Sequence, residues 1–285
     1  MSERPLGTAG PVAGQPSPTT ERAAPTAGAE AAPRQRRGSS PGLRLLSVAL
    51  MLGLWEWGGR IPISLAFPTC SETVLALLAM LADGTLLAAY ADTIRPLLIG
   101  VLLCGAGAVI AGIVMGLSRS AEWFGLPVFV ILQAAPSAAI VPVITYVYGI
   151  GLAAKVFAVV LLSAPVIVLN SYKGIRHTSP SLLEMSRSFL ASRRQRIFKI
   201  ILPSASGLMF AGMRLGVAQG FTGVILAELL ITPTGVGDLI TYYRSIADYP
   251  RMFASILSII VLASVAITLL QKVEETVFRP ELRQA

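Results

Sequence analysis

Long uncharged stretches separated by short polar segments make up most of the chain after residue 43. A helix that crosses a bilayer needs about 20 mostly apolar residues. Five stretches reach or approach this length, one of them with a single arginine and a single glutamate inside it: 96–117, 124–154, 156–172, 204–231 and 252–271. We therefore expect a membrane-spanning helix from each, with an outer loop near Gly149 at the end of the second stretch.

A sixth, less apolar stretch precedes these. Residues 43–59 contain Glu56 near their end, but Trp55 and Trp57 suit the aromatic belt at a membrane boundary. The expected fold class is therefore all-α, a polytopic membrane protein with six transmembrane helices and both termini in the cytoplasm. Residues 73–82 are apolar at helical spacing but too short to cross, so they predict an interfacial helix on the outer side.

Three prolines, Pro127, Pro136 and Pro142, interrupt the third predicted span. One interpretation, which we favour, is a kinked helix whose freed carbonyls are satisfied by neighbouring helices. The other is a broken helix that lines a transport pathway. In that case the polar residues Gln133 and Ser137, on either side of Pro136, are candidates for a gate or pathway.

Two ionisable residues, Arg214 and Glu228, lie within or at the edge of the fifth span. At about 1.5 Å per residue they are about 21 Å apart, less than the roughly 30 Å hydrocarbon core, so they cannot both lie outside it. Such residues are candidates for function, here as a gate, a structural pair or a substrate contact. The alternative is that Arg214 snorkels to the inner interface and Glu228 lies paired or hydrated near the outer one.

Composition agrees with a membrane protein and excludes other classes. Charged residues make up 13% of the 285 positions, about half the share typical of soluble domains. The net charge of +8 is concentrated at residues 1–44, which carry +3, and at residues 173–203, which carry +6. Basic segments of this kind mark the cytoplasmic side of membrane proteins. Since they contain almost none of the aromatic and polar residues that read bases, we expect no nucleic-acid partner.

The chain divides into three segments by this pattern. Residues 1–41 are rich in proline, alanine, glycine, serine and threonine without apolar periodicity, and they predict a disordered cytoplasmic tail. Residues 42–275 form the predicted transmembrane domain, and residues 276–285 form a short cytoplasmic tail.

Catalytic and metal-binding motifs are missing from the sequence. It contains a single histidine, no HExxH or CxxC pattern, and no GxxxxGK[ST] loop for binding ATP. We therefore expect no catalytic residues, no metal ligands and no cofactor on this chain, which would not be an enzyme by itself.

The loop of residues 173–203, between the fourth and fifth spans, carries the strongest pattern of the polar segments. Ser179 suits the cap of a helix whose first residue is Pro180, where a missing N–H costs nothing. Apolar residues then recur along one face of this helix: Leu182, Met185 and Phe189. A second short helix is predicted from the spacing of Ile197, Ile200 and Ile201. We expect Pro203 to end it before the fifth span.

The pattern alone is compatible with an ordinary positive-inside loop, with helices that lie on the membrane, or with a docking site for a partner. A family resemblance favours docking. The run Glu184-Met185-Ser186, then Leu190, Ile200, Leu202 and Pro203, resembles the EAA loop of ABC-transporter importer permeases. Four of these residues match the family pattern in register: Glu184, Ile200, Leu202 and Pro203. Downstream, residues 211–216, Ala227-Glu228 and residues 235–240 resemble the nitrate, taurine and aliphatic-sulfonate branch. The likeness covers residues 43–275.

The resemblance implies a transmembrane permease subunit of an ABC importer for a small anionic solute, in a bacterial cytoplasmic membrane. In that family the permease pairs with a second copy or a homologous permease. A separate ATPase binds ATP and magnesium, and an extracytoplasmic binding protein delivers the substrate. The short helix of the EAA loop docks on the ATPase, which implies these coupling residues: Glu184, Met185, Ser186, Arg187, Phe189, Leu190 and Ala191.

The rival class is a secondary transporter or channel that works without an ATPase. Secondary transporters often contain inverted repeats and intramembrane charges that couple to ions. The sequence shows no convincing repeat and few such charges. An ABC importer permease therefore agrees better with it.

Two departures from the family pattern affect the loop. Met185 and Ser186 replace two alanines, so the groove on the partner must admit a longer side chain. Leu190 replaces a glycine, and leucine resists the positive φ that glycine allows at a turn. We therefore expect the bend to move to Ala191 and Ser192, or the helix to run on past Leu190.

Overall fold

The computed structural model describes residues 41–61 and 66–278, and the regular elements within these ranges are helical. In chain order they are α1 (Pro41–Arg60), α2 (Cys70–Ala82), α3 (Thr85–Leu117), α4 (Arg119–Ala134), α5 (Ser137–Tyr148), α6 (Leu152–Arg176), α7 (Pro180–Ser188), α8 (Arg193–Arg196), a π-helix (Ile197–Ile201), α9 (Leu202–Leu230), α10 (Val236–Ser245) and α11 (Tyr249–Phe278). The predicted N-terminal tail lies outside the described residues, apart from Pro41. The predicted C-terminal tail, residues 276–285, lies outside the described residues after Phe278.

Within the described ranges, four helical runs are long and apolar enough to cross a membrane: α3, α6, the run from α8 through α9, and α11. The pair α4 and α5 passes the same test only as one bent span. These correspond to the five predicted apolar stretches, so the expectation of an all-helical polytopic membrane protein is confirmed. Helix α1 has 20 residues but is not among the helices that meet these criteria of length and apolar composition. The span expected at residues 43–59 therefore stays a prediction.

The predicted short helix is α2, whose 13 residues do not span a bilayer. Thr69 Oγ1 accepts a hydrogen bond from the Glu72 N–H (3.2 Å), and Glu72 Oε2 accepts one from the Thr69 N–H (3.0 Å). This reciprocal pair satisfies two of the donors that a helix start leaves open. Glu56 of α1 accepts a further bond from the Ser71 N–H at 3.0 Å, which ties α1 to the start of α2.

Helix α6 packs along both α3 and α9, and glycines make these contacts close. A Cβ at Gly112 of α3 would lie 2.5 Å from the Ser171 Cβ, and one at Gly216 of α9 would lie 2.4 Å from the Ile167 Cγ1. Small residues let helix backbones approach in membranes, where lipid is as apolar as the side chains. The packing sets α3, α6 and α9 side by side, so that side chains from all three can meet.

The third predicted span is broken rather than kinked, which corrects the favoured interpretation. Helices α4 and α5 meet at 104° across Ala135 and Pro136. Ala135 has an extended backbone, with ψ of 138°, because a residue before proline is pushed out of the helical region. Pro136 also lacks the N–H that would continue α4. Pro127 and Pro142 remain inside α4 and α5.

Pro203 does not end a helix before the fifth span, contrary to expectation. The helical run continues from Arg193 to Leu230, and Pro203 lies at the start of α9. The preceding π-helix explains this, because its hydrogen bonds reach back five residues, as from the Leu202 N–H to the Ile197 carbonyl. The wider turn accommodates the proline ring without a break in the helix.

Candidate functional site

Helix α7 begins where the pattern predicts and carries an apolar stripe at its surface. Leu182, Met185 and Phe189 are exposed, Phe189 to 79%, so the described part of the chain leaves this stripe uncovered. Ser186, one of the predicted coupling residues, is only 2% exposed, and its hydroxyl donates to the Leu183 carbonyl (2.6 Å). The Ser186 side chain therefore packs within the chain.

The remaining predicted coupling residues lie at the surface of α7 or of the turn after it. Glu184, Arg187 and Leu190 are exposed, and Ala191 is partly buried. Ser179 is the cap residue before Pro180, as predicted, but its hydroxyl makes no bond to the helix start and lies 2.7 Å from that of Ser181.

The turn after α7 forms at Leu190 itself, with a left-handed backbone (φ 52°). Its N–H donates to the Arg187 carbonyl (2.9 Å), and the Ala191 N–H donates to the Ser186 carbonyl (3.0 Å). These two bonds close a helix end in the Schellman motif, in which glycine is common at the position of Leu190. Both expectations for this bend are therefore wrong. A residue with a Cβ in this conformation costs about 1–2 kcal/mol, so the turn is strained.

The break between α4 and α5 borders a cavity of about 200 Å³. Gln133 and Ser137 line it from either side of the break, and Gln219 lines it from α9. None of the described residues on this wall is charged, so amide and hydroxyl groups are its side-chain hydrogen-bond donors. Two of the residues predicted for a pathway thus meet at one cavity.

A buried ion pair joins α6 to α9. Lys155 Nζ lies 2.9 Å from Glu228 Oε1, and both residues are 3% exposed. The Thr93 hydroxyl of α3 lies 2.9 Å from Oε1 and 3.0 Å from Oε2 of the same carboxylate, to which it donates. Lys155 also donates to the Thr234 hydroxyl at 2.8 Å. Buried charges need partners of this kind, because an unpaired buried charge is costly.

The chain after α9 folds back over Glu228. The Gly237 N–H donates to Glu228 Oε2, and the Val236 N–H donates to the Thr93 hydroxyl, each at 3.0 Å. A Cβ at Gly235 would lie 2.2 Å from Glu228 Oε1, and one at Gly237 would lie 2.5 Å from Glu228 Cβ. Only glycine permits so close an approach at both positions. Glu228 is therefore enclosed by its partners and does not line the cavity at the helix break.

Arg214 lies apart from both places. Its Nη1 is 3.2 Å from Oε2 of Glu274 on α11, and both side chains are largely buried. Arg214 therefore has an ion-pair partner that the sequence pattern does not indicate. The four residues predicted for a gate or pathway fall at three separate positions, and only Gln133 and Ser137 share one.

Sequence reasoning does not single out Lys155, because it lies between two uncharged stretches and counts as their boundary. A signal for it does exist, since a lone lysine beside one span and a lone glutamate within another suit an intramembrane pair. Thr93 and Gln219 carry no comparable signal, because an uncharged polar side chain on a span is compatible with many environments.

Comparison with known proteins agrees with the sequence resemblance. A family model described as "Binding-protein-dependent transport system inner membrane component" matches residues 106–279. The putative aliphatic sulfonates transport permease protein SsuC of Bacillus subtilis (strain 168) is 27% identical, over 79% of this chain and 81% of its own length. The taurine transport system permease protein TauC of Escherichia coli (strain K12) is 24% identical, over 70% of this chain and 74% of its own length. A solved structure titled as inward-facing conformations of the MetNI methionine ABC transporter covers 71% of this chain and 96% of the matched chain, with 19% identity and a TM-score of 0.49.

Proposed function

Because the chain belongs to the family of binding-protein-dependent transport system inner membrane components, we propose that it moves a small anionic solute across a bacterial cytoplasmic membrane. The chain is a multi-pass membrane protein and a transmembrane permease subunit of an ABC importer. The proposed solute class is supported by two relatives that align over most of their length, whose names assign them aliphatic sulfonates and taurine.

The complete importer contains further subunits. A separate ATPase holds ATP and magnesium, and its groove receives α7. A binding protein outside the cell delivers the solute, and a second permease copy or a homologous permease completes the pathway. Both termini of this chain lie in the cytoplasm, together with the basic loop of residues 173–203.

The observation that carries this function is the uncovered apolar surface at the end of α7. Met185, Phe189 and Leu190 are exposed, although residues of this kind are usually buried. In the ATPase groove each would contribute about 1.5–3 kcal/mol when fully buried. The strained turn at Leu190 holds α7 against the chain that follows it.

Movement of α7 reaches the membrane through one continuous helix. The run from Arg193 to Leu230 has 38 residues, and Glu228 lies near its far end. When closure of the ATPase pair displaces α7, this run carries the displacement along α9. The ion pair of Lys155 with Glu228 joins its outer end to α6 and α3, so the three helices move together.

The cavity at the helix break is the proposed contact with the solute. Gln133, Ser137 and Gln219 can donate hydrogen bonds to sulfonate or nitrate oxygens. Without a fixed positive charge the cavity binds an anion weakly, so the solute can leave it again. Specificity is then set by the binding protein.

Phe189→Ala tests the coupling role, with Phe198→Ala as the matched control. Both phenylalanines are exposed, but Phe198 lies on the π-helix, outside the predicted coupling set. Phe189→Ala is expected to reduce co-purification of the ATPase and uptake of labelled solute, while Phe198→Ala retains both. If Phe189→Ala retains both at normal expression, α7 is not the coupling element.

The transport class and the solute class are tested in proteoliposomes. The permease with its ATPase and binding protein is expected to take up labelled taurine or an alkanesulfonate only when ATP is supplied. Uptake by the permease alone, driven by an ion gradient, would establish the rival class of secondary transporter. ATP-dependent uptake of a cationic solute with no uptake of any anion would contradict the solute class alone.

A further inference from the structure

A second cavity lies where α7, the π-helix and the end of α3 meet. Its volume is about 190 Å³. Arg187, Arg193 and Arg196 line one part of it, and the remaining wall is apolar, formed by leucine and isoleucine side chains. The cavity therefore combines three positive charges with an apolar side.

The three arginines have no acidic partner among the described residues. None of the salt bridges in residues 41–61 and 66–278 involves them. Glu184 is the single acidic residue of the loop 173–203, and it does not line the cavity. Within the described ranges, the charge of the cavity is therefore uncompensated.

One donor of an arginine that lines this cavity is both buried and unsatisfied. The Nε of Arg196 is buried and has no hydrogen-bond partner. Buried polar groups in folded proteins are almost always hydrogen-bonded, so an orphaned donor on this residue indicates a missing acceptor. A guanidinium group binds oxyanions through paired N–H groups, and phosphate matches the geometry of these donors.

We propose that this cavity binds a phosphate group, supplied either by the headgroup of an anionic phospholipid or by free inorganic phosphate. The apolar wall suits the chain side of a lipid headgroup, and anionic lipids of the inner leaflet attract basic segments at the membrane surface. The bound group bridges α7 and the start of the α8–α9 run, so it braces the turn at Leu190. Binding does not require the ATPase or the transported solute, so this proposal stands apart from the function proposed above.

Binding is measured on the purified full-length permease in neutral detergent by microscale thermophoresis. The probes are dioctanoyl phosphatidylglycerol, dioctanoyl phosphatidylcholine and inorganic phosphate. Arg196→Gln removes the guanidinium group, while Arg194→Gln removes an equal charge from an exposed neighbour that does not line the cavity. Arg196→Lys keeps the charge without the paired donors, and gel filtration establishes that each variant is folded.

The wild-type chain and Arg194→Gln are expected to bind phosphatidylglycerol alike, and Arg196→Gln to bind it roughly tenfold more weakly, since a charged hydrogen bond is lost. Competition by inorganic phosphate identifies a free anion as a second source, and its absence identifies the lipid alone. The proposal is overturned if neither phosphatidylglycerol nor inorganic phosphate binds, or if phosphatidylcholine binds as well as phosphatidylglycerol. It is also overturned if Arg196→Gln binds phosphatidylglycerol as tightly as Arg194→Gln. Binding by Arg196→Lys equal to wild type would also overturn the role of the guanidinium group.

Discussion

Replacing Leu190 by glycine is expected to stabilise the turn after α7. Leu190 has a φ of 52° and is 90% exposed, so its side chain adds backbone strain and almost no burial within the chain. Relief of the left-handed strain is worth about 1–2 kcal/mol. Glycine loses more backbone freedom when it is ordered, which costs about 0.5–1 kcal/mol. The difference between these two ranges is about 0–1.5 kcal/mol, and its central part, about 0.5–1 kcal/mol, is the expected stabilisation of the closed turn in the variant.

Hydrogen exchange on the purified permease, without the ATPase, measures this difference. The Ala191 N–H donates to the Ser186 carbonyl at 3.0 Å, so it exchanges only when the turn opens. A stabilisation of about 0.5–1 kcal/mol slows its exchange about two- to fivefold. Leu190→Ala is the control, because alanine removes most of the side chain but keeps a Cβ in the left-handed region.

Equal exchange rates in the glycine and alanine variants, or faster exchange in the glycine variant than in the wild type, would contradict a role for left-handed strain at Leu190. In the assembled importer, Leu190→Gly is expected to retain most of the uptake. Leu190→Asp places a charge against an apolar groove and is expected to abolish both ATPase co-purification and uptake.

Three further predictions concern the ion pair, the glycine turn and the topology. Lys155→Met leaves Glu228 buried without its cation and is expected to destabilise the fold by about 3–5 kcal/mol, seen as a lower unfolding temperature in detergent. Addition of Glu228→Gln should recover part of that loss, and equal loss in the single and double variants would contradict the pairing. Gly235→Ala places a Cβ 2.2 Å from Glu228 Oε1, whereas Gly84→Ala meets open space at a similar positive φ, so the loss of thermal stability should be clearly larger at residue 235. Comparable losses would show that backbone conformation alone matters there. For the topology, a cysteine is introduced at position 188 of a chain whose two free cysteines are changed to alanine. This cysteine should resist a membrane-impermeant maleimide added to intact cells, whereas strong labelling would place the loop 173–203 outside.

Local pattern was sufficient for the family, for the start of α7 and for the position of most apolar helices. The start of α7 at Pro180 follows from its own first turn, because a helix start depends on residues within the same segment. The apolar stretches predict which helices cross a membrane, because transfer into lipid depends on composition and length. The register of Glu184, Ile200, Leu202 and Pro203 carries the resemblance of the loop.

The pairing of distant groups was decided only by the tertiary structure. Lys155 and Glu228 are 73 residues apart, and Arg214 and Glu274 are 60 apart, so their meeting depends on which helix faces pack together. Leu190 prefers a negative φ, but the two hydrogen bonds that close α7 override that preference. The three prolines of the span formed by α4 and α5 are compatible with a kink or a break, and the structure has a break of 104° at Pro136, with both helices packed against α6. Periodicity reports which residues share a helix face, whereas the partner of that face is set by close packing between helices.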